Sequence, residues 1–103
     1  MDEKIHKALN IRMVLKSAEE LTQGDVDRMM EAVIEQPPGK SVVHDNGNVL
    51  RAALIAGIIE LIVTPDGQIR APEQVDGMQR TQAKWCAGQV NALYRAAEEV
   101  PNE

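Results

Sequence analysis

The sequence predicts one compact, mainly α domain over residues 1–103, built on about three helices with a short N-terminal strand and a small hairpin. Three observations lead there. The chain has the length of one domain, and 44% of its residues are apolar, enough to build a core. Apolar residues recur at helical spacing in the stretches after Thr22, Asp45 and Thr81. Pro37-Pro38-Gly39 and Thr64-Pro65-Asp66-Gly67 cut the chain into helix-sized pieces.

Near the N-terminus, Leu9, Ile11, Met13 and Leu15 alternate with Asn10, Arg12, Val14 and Lys16. That period of two fits a half-buried strand. Helix is the alternative, because Ala, Leu, Lys and Met are frequent in the first 16 residues. Thr22 then reads as a helix cap with Asp25 as a short capping-box acid. Val26, Met29, Met30 and Val33 form the stripe of that helix, which Pro37-Pro38-Gly39 ends.

Asp45 or Asn46 caps a second helix, expected to run to about Leu61. Leu50, Leu54, Gly57, Ile58 and Leu61 group on one side of it, and Ile55, Ile59 and Ile62 form a separate arc. Together they span roughly 200°, about twice the stripe a surface helix needs to face one core. Such a helix is either the buried centre of the domain or offers its second arc to a partner. After the Thr64–Gly67 turn, Ile62-Val63 and Gln68-Ile69-Arg70 could pair as a short hairpin, and Pro72-Glu73 suits the first turn of a short helix. The last helix is expected from about Thr81 to Glu99. Cys86, Val90, Leu93, Ala97 and Val100 make its stripe, and Trp85 and Tyr94 stand at the two borders. Aromatic residues at a border suit either the edge of a core or an interface. The partner-binding candidates are therefore Ile55, Ile59, Ile62, Trp85 and Tyr94.

The core is short of aromatic residues, with no Phe, one Trp and one Tyr. Net charge is −5, and no stretch forms the basic patch that phosphate binding needs, so nucleic acid is not an expected ligand. One cysteine excludes an intrachain disulfide and points to a reducing compartment. Met1-Asp2-Glu3-Lys4 lacks the apolar core of a secretion signal. The longest apolar run, Ala52 to Val63 with Glu60 inside it, is too short for a bilayer, which needs about 20 residues. A cytoplasmic location is the expectation, with no membrane partner.

The search for chemistry returns no catalytic, cofactor or metal residue. Gly39-Lys40-Ser41 looks like the end of a phosphate loop, but Ile34 stands where that loop needs glycine, and Pro37 and Pro38 lack N–H donors. His44-Asp45-Asn46-Gly47-Asn48 reads as a loop and helix cap, since His6 is the only other histidine. Asp27, Glu31 and Glu35 lie on a solvated helix face, where their charge also argues against a DNA-binding helix. Cys86 reads as a buried structural thiol.

The order of signals resembles the small tail assembly chaperones of tailed bacteriophages. The residues that carry this are Leu21-Thr22-Gln23-Gly24-Asp25, Leu50-Arg51-Ala52-Ala53 with Ala56-Gly57, Lys84-Trp85, Tyr94 and Val100-Pro101. The resemblance implies a non-enzymatic helical protein of the host cytoplasm that binds the tape-measure protein, helps recruit tail-tube subunits and self-associates. It brings no catalytic motif. The residues taken alone also leave room for a small acidic inhibitor that masks a basic surface of a nucleic-acid-binding enzyme.

Overall fold

The computed structural model describes residues 1–34 and 45–98. The fold is α+β, which corrects the mainly α expectation. A four-stranded antiparallel sheet in the order β1-β2-β3-β4 is built from β1 (Asp2–His6), β2 (Ile11–Leu15), β3 (Ile59–Thr64) and β4 (Gly67–Ile69). Helices α1 (Gln23–Ile34) and α2 (Asn46–Ile55) come between β2 and β3. A 3₁₀ turn (Pro72–Gly77) and α3 (Arg80–Glu98) follow β4.

Local chemistry explains most of the helix and turn boundaries. Thr22 Oγ1 accepts from the Asp25 amide at 3.1 Å and the Asp25 carboxylate accepts from the Thr22 amide at 3.0 Å, the expected reciprocal cap. Asp45 caps α2 by accepting from the Asn48 amide. The small hairpin forms as expected: Thr64 pairs with Gly67 across Pro65-Asp66, and the Thr64 hydroxyl accepts from the Asp66 amide. The Pro37-Pro38-Gly39 stop and the Gly39-Lys40-Ser41 and His44 readings lie outside the described residues.

The large correction falls in the apolar run, where the helix expected to reach Leu61 ends at Ile55. Gly57 takes φ +76°, the left-handed region. Its amide donates to Leu54 O at 3.2 Å, and the Ile58 amide donates to Ala53 O at 2.9 Å. This crossed pair of bonds is a Schellman stop, which satisfies carbonyls the helix end leaves open. The β-branched sequence Ile58-Ile59-Glu60-Leu61-Ile62-Val63 then continues as strand.

The helix-like spacing of Ile59 and Ile62 has a different origin. β2 and β3 slip between Val14 and Leu15: Val14 pairs with Leu61 but Leu15 pairs with Ile59, leaving Glu60 as an extra residue. In a regular strand, residues three apart face opposite sides. The bulge resets the phase, and both isoleucines point into the core at 2% and 0% exposure. The surplus arc of Ile55, Ile59 and Ile62 therefore does not exist.

Gly57→Ala should destabilise the protein by about 1–2 kcal/mol. Beyond its chain neighbours, no atom of the described residues lies within 4 Å of the added methyl, so the effect is backbone strain. Urea unfolding checks this; an unchanged midpoint would show that the left-handed residue is not what stops α2.

The register assigns each strand residue to a face. Met13, Ile62 and Ile69 form one row, and with Ile11, Leu15 and Ile59 they join the core made with α1, α2 and α3. Met29 and Ala32 of α1, Leu50, Ala53 and Leu54 of α2, and Cys86, Ala87 and Val90 of α3 fill the opposite side of that core. β1 was not foreseen, because Ile5 is its only apolar residue. It forms by pairing with β2 from Asp2↔Leu15 to His6↔Ile11, through a turn in which Asn10 adopts φ +54°.

Candidate functional site: the outer face of the sheet

The other face of the sheet has two rows, Glu3–Val14–Leu61 and Ile5–Arg12–Val63–Gln68. Ile5, Val14, Leu61 and Val63 are absent from the core cluster and from the hydrophobic residues packed around it. Ile5 is 59% exposed, Val14 and Val63 are half-buried, and Leu61 is buried at 8% beside its strand partner Val14. Among the described residues, all the helices contribute to the core on the opposite face. An antiparallel sheet that turns one face to water commonly alternates apolar and polar residues. Here the outer rows carry four aliphatic side chains, three of them reaching the surface, around one exposed ion pair, Arg12–Glu3 at 3.1 Å. Grouped aliphatic residues on a solvent face mark a contact surface more often than scattered single ones do.

The five residues expected to bind a partner do not gather into one site. Ile55 is exposed at the end of α2, whereas Ile59 and Ile62 are core. Trp85 and Tyr94 are half-buried on α3, nine positions apart, which puts them on opposite sides of that helix. The Trp85 ring meets the His6 ring edge-on at 5.4 Å, closing the core beside β1. Tyr94 lines a shallow groove between α1 and α3 with Leu21, Val26 and Ala97. Burial, with a smaller contribution from the Asp25 charge, raises the pKa of its hydroxyl. Of these five, only Ile55 keeps the character of an open apolar surface.

Residues with chemical potential have structural occupations. Cys86 is fully buried, and desolvation pushes its thiol up to about 12, so the nucleophilic thiolate is suppressed. His6 Nδ1 accepts from the Leu9 amide at 3.1 Å and holds the β1–β2 turn. Among the described residues, no three of His, Cys, Asp or Glu are grouped to hold a metal ion. No helix among them is long and apolar enough to cross a membrane.

The stretch that carried much of the family resemblance is also occupied structurally. Leu50, Ala52 and Ala53 are buried against the core. Arg51 bonds Asn48 Oδ1 at 3.1 Å and Asp76, tying α2 to the 3₁₀ turn. Sequence reading missed the outer face because Val14 counted as polar-side and Leu61 as helical. The available signal was the alternation Arg12, Val14 and Leu61, Val63 once a strand is assumed on both sides of the bulge.

Comparison with protein-family models, with curated proteins and with solved structures finds no match.

Proposed function

We propose that the chain is a non-enzymatic assembly protein that binds an apolar segment of a protein client on the outer face of its sheet. The reading extends to a tail assembly chaperone acting on the tape-measure protein in the host cytoplasm. The observation behind it is the position of Ile5, Val14, Leu61 and Val63 on the sheet face away from the core. An elongated client offers rows of aliphatic residues, and a sheet face is a flat surface on which an apolar segment of such a client can lie.

The test is co-expression with a tape-measure fragment from the same genome, read by size-exclusion co-elution. The wild type should co-elute, and Ile5→Gln/Val63→Gln should fold normally but lose the client. Failure of the wild type to co-elute, or equal co-elution by the double variant, would overturn the proposal. Survival of the complex in about half-molar salt separates this apolar mode from an acidic inhibitor on a basic surface, whose attraction such salt screens.

A further inference from the structure

The outer face carries a charge pattern at one end that narrows the partner. A groove of about 350 Å³ opens there at the β1–β2 turn, lined by Ile5, Arg12 and Val63 of the outer face and by Lys7 and Asn10 of the turn, with His6 and Ile11 bordering it from the core side. Arg12 stands opposite both Ile5 and Val63 in the register, so its guanidinium rises from the middle of an aliphatic row. Its partner Glu3 is held in an exposed pair, both side chains at 47%. Such pairs contribute little and exchange readily. Lys7 is exposed, and among the described residues no carboxylate lies within ion-pair distance of it. The protein as a whole carries −5, yet among the described residues no carboxylate side chain lines this groove.

From this we infer that the groove takes a segment of a partner protein in which aliphatic residues alternate with carboxylates. The aliphatic side chains would enter between Ile5 and Val63, and the carboxylates would meet Arg12 and Lys7. The inference rests on the proposed protein-binding role of this face and adds the chemistry of the partner. Charge complementarity selects this occupant. A basic segment would instead be repelled by the local positive charge of Arg12 and Lys7.

The experiment is fluorescence anisotropy with three labelled peptides of one design, Leu-X-Leu-X-Leu, where X is Asp, Asn or Lys. At low salt the Asp peptide should bind the wild type about fivefold more tightly than the Asn peptide, the effect of two exposed ion pairs. The Lys peptide should be weakest. Lys7→Gln/Arg12→Gln should erase the difference between Asp and Asn peptides, with the far-UV spectrum unchanged. Equal binding of Asp and Asn peptides to the wild type, lost in Ile5→Gln/Val63→Gln, overturns this inference while leaving the protein-binding role standing. An absence of binding by every peptide overturns the inference, and the tape-measure co-elution then judges the wider role separately.

Discussion

Ile59→Asp should abolish folding, while Ile55→Asp leaves a folded protein. Ile59 is 2% exposed on the inner side of β3, whereas Ile55, at the end of α2, is 56% exposed. A carboxylate at position 59 would lie in the apolar core beside Leu15, its strand partner. Burying an unpaired charge costs several kcal/mol. A chain of this size holds only about 5–15 kcal/mol in total. At position 55 the new charge stays in water near the end of α2, where the helix dipole costs it about 1 kcal/mol or less. Circular dichroism and urea unfolding of the two variants decide the matter. A stable, folded Ile59→Asp protein would mean that the bulge does not turn this residue inward, and the assignment of the outer face would fall with it.

Asp25→Ala should lower stability by about 2–3 kcal/mol, a cost well above that of an ordinary surface change. The side chain is 1% exposed and joins three elements of local structure. It accepts from Lys16 Nζ at 2.9 Å just beyond β2, from the Thr22 amide at 3.0 Å, and from Arg28 on its own helix. Its removal opens the α1 cap, leaves a backbone N–H without its acceptor, and strands the half-buried Lys16 ammonium. Lys16 and Arg28 both reach solvent, which moderates the loss.

The same cluster makes an acid prediction. The Thr22 amide first, and then the Lys16 ammonium, hold the Asp25 carboxyl at about 2, below its usual 3.8. A carboxylate depressed in the folded state adds stability above its unfolded pKa and loses it as pH falls through the folded one. The advantage of the wild type over Asp25→Asn should therefore be constant above about pH 5 and shrink between about 4 and 2. Unfolding curves that stay parallel down to pH 2 would show that the ionised side chain is not what joins α1 to the sheet.

The two sets of residues differ in how far they could be read in advance. Thr22 with Asp25, Asp45, and Thr64 through Gly67 act over two to four positions, so their side chains meet the backbone they organise in almost any fold. Cys86, Val90 and Leu93 lie on the buried stripe expected of α3, while Ala97 of that stripe is exposed and Val100 falls outside the described residues. Gly57 was readable too, as a glycine between a helical stretch and a β-branched run. Leu54, Ile58 and Leu61 continue a helical spacing across it, which hides the break.

What the sequence by itself determined was the local punctuation: the two N-caps, the Thr64–Gly67 turn, the alternation of β2 and the course of α3. The tertiary structure decided the rest. β1 has too few apolar residues to declare itself and exists because β2 offers it a ladder. The bulge at Glu60 is a relation between two strands, with α1 and α2 lying between them in sequence. Periodicity reports only how often a side chain recurs along its own segment. Which face is buried depends on the partner that covers it, and that partner is supplied by distant chain. For this reason Ile59 and Ile62 changed from candidate surface to core, and Val14, Leu61 and Val63 became the candidate site.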